Sequence, residues 1–314
     1  MARYRDRLPQ LDAELFLSDG GIETTLVFLE GHELPHFAAF DLLKRDGGAD
    51  ALRKYFRTYA ALARAYGVGL VLETATWRAS TDWADKLGYS AADLAAVHRE
   101  AVGLLEEVRR DYEDPQTPIV ISGCIGPRGD GYNPESYMSA EEAERYHATQ
   151  ARLFRDSGAD LVTAITMTSA DEAIGVTRAA RAADMPVVIS LTVETDGRLP
   201  SGETLDAAIG RIDAATGAAP AYYMINCAHP THFDAALPAG AAWLQRLGGL
   251  RANASAKSHA ELDQATELDI GDPDALAADY RRLRARLPKL TVLGGCCGTD
   301  HRHLEAIAKA CSTG

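Results

Sequence analysis

Five cysteines stand at positions 124, 227, 296, 297 and 311, and two of them are neighbours inside Gly294-Gly-Cys-Cys-Gly-Thr. A disulfide between adjacent residues strains the peptide that joins them, so the pair asks for another use. Flanking glycines let the backbone turn sharply enough for both thiols to face one point. Thiolates are good ligands for Zn(II), and three protein ligands with a fourth position left open is the arrangement of a catalytic zinc. Cys227, in Ile225-Asn-Cys-Ala-His, is the third candidate ligand. Two other uses stay open from the residues alone. A free cysteine also serves as a small buried hydrophobe, and an exposed pair serves as a metal-free redox device.

For Cys227 to reach Cys296 and Cys297, the chain must bring distant segments to one rim. Apolar, β-branched runs bounded by turn residues predict strands at 15–18, 69–73, 119–122, 159–164, 187–192, 221–226, 242–250 and 290–293. Most are apolar throughout rather than alternating, as a parallel sheet covered on both faces requires. Helical spacing appears between them, at 56–66, 203–212 and 274–287. Ser90-Ala-Ala-Asp and Ser139-Ala-Glu-Glu read as helix starts, each with an acid three residues after a serine cap. This alternation predicts a single-domain (β/α)8 TIM barrel over residues 1–314. A doubly wound open sheet is the competitor, but no G-x-G-x-x-G follows the first strand, where Asp19-Gly-Gly-Ile stands. The stretch 252–272 is polar and predicts a rim loop able to cover a site or select a substrate.

The formal charge of −13 and pI near 5.1 argue against a nucleic-acid surface, which needs clustered Lys and Arg. No apolar run has the length of a membrane span, and the first residues have no apolar leader core. A reducing cytoplasm is the expected location, with the thiols unpaired. The sequence leaves open whether the chain forms a homo-oligomer.

In a barrel of this kind chemistry gathers at the C-terminal ends of the strands. There the sequence places Asp19-Gly-Gly-Ile-Glu, Glu73-Thr-Ala-Thr-Trp, Gly123-Cys-Ile-Gly-Pro, Asn226-Cys, Arg251-Ala-Asn and the cysteine pair. Gly294-Gly-Cys-Cys-Gly-Thr with Ile225-Asn-Cys closely resembles the zinc motif of the homocysteine S-methyltransferase family, which includes betaine- and S-methylmethionine-dependent enzymes. Asp19-Gly-Gly, Thr74-Ala-Thr-Trp-Arg-Ala-Ser, Ser122-Gly-Cys-Ile-Gly-Pro and Asp196-Gly-Arg-Leu-Pro-Ser-Gly are similar to further segments of that family. The resemblance implies a zinc held by Cys227, Cys296 and Cys297, with an acceptor thiol in the fourth position. It also places Asp19 near the acceptor, Asn226 behind the metal loop and Asn253 at the substrate, and it makes no use of Cys124.

The fourth strand departs from the family. Where the family carries a glutamate that holds the amino group of homocysteine, this chain reads Ala164-Ile165-Thr166. Isoleucine cannot pair with an ammonium. Either Glu23, Glu73 or Glu194 substitutes, or the acceptor is a thiol other than an α-amino acid. Trp77 is a candidate to face a methyl-onium donor through its ring. His301 and His303 are read as helix-start or surface groups rather than ligands, and His229, two residues after Cys227, is a weak candidate to stand behind the metal ligands. The implied reaction moves a methyl group from an onium donor, of S-methylmethionine or betaine type, to homocysteine or a related thiol. The alternative is a zinc-binding barrel that has lost methyl transfer and acts as a sensor.

Overall fold

The computed structural model describes residues 2–312 apart from 132, 133, 135, 265 and 266. Eight parallel strands follow one another around a closed ring: β1 (Phe16–Ser18), β2 (Gly69–Glu73), β3 (Ile119–Ile125), β4 (Leu161–Met167), β5 (Val187–Leu191), β6 (Tyr223–Asn226), β7 (Leu247–Ala252) and β8 (Val292–Gly295). Phe16 lies opposite Val292 and Leu17 opposite Leu293, which closes the sheet and excludes the open doubly wound arrangement. The surrounding helices are α1 (Gly48–Tyr66), α2 (Thr81–Lys86), α3 (Ala91–Tyr112), α4 (Ala140–Ser157), α5 (Ala170–Ala182), α6 (Leu205–Thr216), α7 (Pro230–Phe233), α8 (His259–Asp263), α9 (Pro273–Arg286) and α10 (His301–Cys311). This is the (β/α)8 TIM barrel that the sequence predicts. Among the described residues, no helix is long and apolar enough to cross a membrane.

Local chemistry explains where the elements start. Ser90 and Ser139 each accept a backbone N–H at the third helical position, while Asp93 and Glu142 reach back to the serine N–H, so both predicted capping boxes form. β4 starts at Leu161 because Asp160 is drawn away, accepting from Ile121 N at 2.9 Å and from Arg109 Nη1 at 2.7 Å. The predicted seventh strand also begins too early. Residues Ala242–Arg246 form a 3₁₀ turn, since Arg246 reaches out to Asp213 on α6 at 2.9 Å, and the strand proper begins at Leu247.

Alternation along each strand sends one residue to the helices and the next to the barrel axis. The lower axial tier is apolar: Phe16, Val71, Val120, Leu161, Val188, Met224 and Val292 pack together, with Leu8 below them. Two residues further along β1 to β6 the axis becomes polar, through Ser18, Glu73, Ser122, Thr163, Ser190 and Asn226, joined by Arg251 from β7, all buried. Ser122 Oγ and Thr163 Oγ1 pair at 2.7 Å, and Ser190 Oγ donates to Asn226 Oδ1 at 2.6 Å. That polar tier is the floor on which the cysteines sit.

Candidate metal centre and its two cavities

Cys227 follows β6, and Cys296 and Cys297 follow β8. Cys227 Sγ lies 2.8 Å from Cys296 Sγ and 3.4 Å from Cys297 Sγ. All three sulfurs fall within 4.8 Å of one another, and among the described residues no other group of His, Cys, Asp or Glu is so arranged. Zn–S bonds of about 2.3 Å in a tetrahedron put sulfurs about 3.8 Å apart, so the trio needs to open by less than about 1 Å to hold that ion. The donor set fits zinc. None of the cysteines is in a disulfide.

The backbone around the sulfurs is tied at every turn. Cys227 takes φ 56°, a left-handed conformation uncommon for a residue with a Cβ, and its N–H donates to Arg251 O at 3.1 Å. Its carbonyl accepts from His259 Nε2 at 2.6 Å. Cys296 N–H donates to Ala252 O at 2.9 Å, and Cys297 N–H to Asn253 Oδ1 at 3.1 Å. Gly298, at φ +78°, makes the turn after the pair, where a side chain would be strained.

Burial and mutual hydrogen bonding split the three thiols. Donation from Cys227 and Cys297, helped by the nearby Arg251 guanidinium, holds the Cys296 thiol well below its ordinary value. Cys227 moves the opposite way, because it donates to both neighbours and is buried.

Two hollows meet at the cysteines. The inner one, about 90 Å³, is bounded by Asp19, Glu23, Glu73, Thr74, Trp77, Cys124, Ile165, Arg251, Cys296 and Cys297, among others. The outer one, about 260 Å³, lies above Cys297 and brings together Phe28, Phe37, Trp77, Arg78, Glu23, Asp130, Glu267 and Asp269. Part of its wall comes from the predicted rim segment 252–272, which includes α8; residues 265 and 266 of that segment lie outside the described residues. A larger groove of about 940 Å³ opens at the opposite end of the barrel, around Tyr66, Pro115, Arg281 and Cys311, away from the strand ends where this fold does chemistry.

Asp19 sits at the inner cavity, but it is already engaged. Its Oδ1 is 2.6 Å from Arg251 Nη1, and its Oδ2 accepts from Tyr55 Oη at 2.9 Å. Burial pushes the Asp19 carboxyl up from its usual range, and Arg251 opposes that push. Arg251 also donates to Gly20 O and Gly295 O, both at 3.2 Å, so it fastens the ends of β1, β7 and β8 together. Gly294 makes room for it: a Cβ there would lie 1.9 Å from Ser18 Oγ and 3.1 Å from Arg251 Cγ.

The remaining sequence candidates divide. Glu73, 5% exposed, is raised to about 7 by burial despite Arg251. Glu23 is also raised to about 7 by burial, and it borders both hollows. Thr74 lines the inner cavity, yet its hydroxyl accepts from Cys124 N at 2.9 Å and pairs with Thr76. Trp77 separates the two hollows and carries the Arg78 guanidinium at 4.6 Å from its ring centroid. Asn253 is buried, and its contact is with the cysteine loop. Glu194 borders neither hollow and lies 3.4 Å from His259 Nδ1. His229 caps α7 and His303 accepts from Asp300 N, and neither joins the three sulfurs as a possible metal ligand.

Ile165 does face the inner cavity. Alternation from Leu161 and Thr163 turns it inward, and the register with β5 shifts between Ala164 and Met167, with Thr166 at φ 64°. Asn226 holds this bulge, accepting from Thr166 N and donating to Thr166 Oγ1, both at 2.9 Å. Sequence reasoning passed over Arg251, Tyr55 and His259. Arg251 left a signal: it is the one charged residue in the otherwise apolar Leu247-Gly-Gly-Leu-Arg-Ala.

Comparison with known proteins agrees with this geometry. The family model described as Homocysteine S-methyltransferase matches residues 16–311. The homocysteine methyltransferase MmuM from Escherichia coli has a similar fold in three forms. Its metallated form superposes with TM-score 0.73 at 19% identity and its oxidised form with 0.74 at 19%, each over 95% of this chain and 96% of that one. The apo form gives 0.68 at 20% over the same shares. A match over residues 16–311, which takes in all eight strands and the three cysteines at their ends, places this chain in the homocysteine S-methyltransferase family, methyltransferases that act on sulfur.

Proposed function

We propose that the chain is a zinc-dependent thiol methyltransferase that takes the methyl group of a sulfonium or quaternary ammonium donor. The observation that carries this is the convergence of Cys227, Cys296 and Cys297 where two hollows of different chemistry meet. Zinc held by these three thiolates supplies, when bound, the positive charge that keeps an incoming thiol deprotonated near neutral pH.

The chain's own residues would do the rest. The inner cavity receives the acceptor against Ile165, Thr74 and Glu73. The outer hollow suits the donor: Phe28, Phe37 and Trp77 offer ring faces, and Glu23 and Glu267 offer carboxyl groups to a cation that has shed water, while Asp130 and Asp269 are paired with Arg78 and Lys257. Arg78, held between Trp77 and Trp83 at 4.6 and 4.0 Å, brings a guanidinium to the same wall, which suits a donor that also carries a carboxylate. The acceptor sulfur attacks the methyl carbon from the side opposite the onium atom. The S–C bond forms as the bond from carbon to the onium heteroatom breaks, and the donor leaves as a neutral sulfide or amine. No base is needed at the methyl carbon, so alignment and exclusion of water are the protein's contribution. Three reduced thiols at the centre suit a cytoplasmic enzyme.

The test joins metal analysis to a transfer assay. Freshly purified reduced protein should hold about one zinc per chain, and Cys297→Ser should lose most of it. A mass-spectrometric screen of several thiols against S-methylmethionine and glycine betaine should then give a methyl thioether with at least one pair. Zinc binding without transfer to any thiol would favour the sensor reading instead.

A further inference from the structure

We propose that Glu73, on β2, is the residue that reads a positive charge on the acceptor, receiving a primary ammonium on its carboxylate while the acceptor's sulfur lies at the cysteines. This rests on the thiol-acceptor reading of the inner cavity. Three acids border that cavity, and they differ in what they still have to offer. Asp19 has both oxygens engaged, one by Arg251 and one by Tyr55. Glu23 stands at the mouth, shared with the outer hollow. Glu73 is 5% exposed and its Oε2 is buried with no hydrogen-bond partner.

A buried carboxylate oxygen without a donor is costly and uncommon, and it marks a place where a ligand completes the set. Arg251 is not that donor, since it is engaged with Asp19 Oδ1, Gly20 O and Gly295 O; the Ser122 and Thr163 hydroxyls beside the carboxyl favour its charged form but are paired with each other at 2.7 Å and bring no charge. Ile165 on the opposite strand end offers only hydrocarbon. The charged and titratable groups around Glu73 are Asp19 from β1, Cys124 from β3, Tyr222 before β6 and Arg251 from β7. Of these, Asp19 and Arg251 already neutralise one another. Glu73 rests near half protonation at neutral pH, raised to about 7 by burial, and an arriving ammonium would favour its charged form and expel the proton.

The experiment is calorimetric titration of the zinc-loaded protein at pH 7 with L-homocysteine and with 4-mercaptobutyrate, which has the same chain and carboxylate but no ammonium. Each titration is run in two buffers of different ionisation enthalpy. Wild type should bind homocysteine at least about ten-fold more tightly, and release up to about half a proton more per molecule bound, as a group titrating near the working pH requires. Glu73→Gln should abolish the preference and the extra proton while leaving 4-mercaptobutyrate affinity within about three-fold, roughly 0.65 kcal/mol at 1.4 kcal/mol per decade. Equal affinity of wild type for the two thiols, or no binding of either, overturns the assignment, and neither result depends on the variant folding. A Glu73→Gln chain that keeps its zinc and still prefers homocysteine also overturns it. If homocysteine binds through Glu73 yet is never methylated, the transferase reading fails and this one stands. If 4-mercaptobutyrate is the better bound and is methylated, the reverse holds.

Discussion

Replacing Arg251 by methionine removes the charge that faces Asp19 while keeping a side chain of similar length. The two side chains are 8% and 2% exposed and their charged atoms are 2.6 Å apart, so the pair lies in the buried regime, where solvent screening is slight. Asp19 would keep only the Tyr55 hydroxyl. Leaving one partner of such a pair unpaired costs about 3–5 kcal/mol. At about 2.1 cal/mol/K per residue, the unfolding entropy of 314 residues is about 0.66 kcal/mol/K, which converts that loss to a fall of about 5–8 °C in Tm. The sign of the pH dependence follows from burial. In the variant the folded Asp19 carboxyl titrates above the unfolded one, so the folded state holds more protons between the two values, and stability falls as pH rises through that window. The Arg251→Met penalty should therefore be smallest near pH 5 and largest near pH 8. Asp19→Asn with Arg251→Met should recover most of it, since both charges are then gone. Urea unfolding of wild type, both single variants and the double variant, each at pH 5 and pH 8, measures this. A loss below about 1 kcal/mol at pH 8, or a penalty that does not change with pH, would refute the reasoning.

The same contacts give three further expectations. Asn253→Ala strips the Cys297 N–H of its acceptor and should weaken zinc binding about 10–100-fold in a chelator competition, with the three thiols untouched. Gly294→Ala places a Cβ 1.9 Å from Ser18 Oγ and should cost about 1–3 kcal/mol in urea, most of it recovered when Ser18→Ala is added. Glu73 raised to about 7 stabilises the fold more below the unfolded carboxylate range than above pH 7; wild type should therefore lose about 3 kcal/mol of stability between pH 4.5 and 8 that Glu73→Gln does not lose, read as the difference between their two pH profiles.

The barrel was legible because its strands are apolar on both faces and its helices begin at serine caps, both short-range signals. Ser90 and Ser139 needed nothing beyond the residue three places on. The start of β7 was not legible, because Trp243 and Leu244 look like strand while Arg246 is turned outward by Asp213, more than thirty residues earlier. Within the site, the cysteines declared themselves by their glycines, and Ile165 by its contrast with the family's glutamate. What Asp19 does could not be read locally. Its partner Arg251 comes from six strands further round the ring, and the arginine was hidden in plain view at the end of an apolar run. Asn253 was placed at the substrate, but its carbonyl oxygen is turned to the Cys297 N–H, a pairing that depends on how two neighbouring strand ends are staggered.

The hydrocarbon tier of Phe16, Val71, Val120, Leu161, Val188, Met224 and Val292 lies directly beneath the tier that carries Glu73, Asn226 and Arg251, and the strands β1 to β6 supply both from alternate positions. The lower storey anchors the ring, while the upper one furnishes whatever guest the barrel admits. Tenants can therefore change by swapping furniture upstairs, strand by strand, without disturbing the foundations.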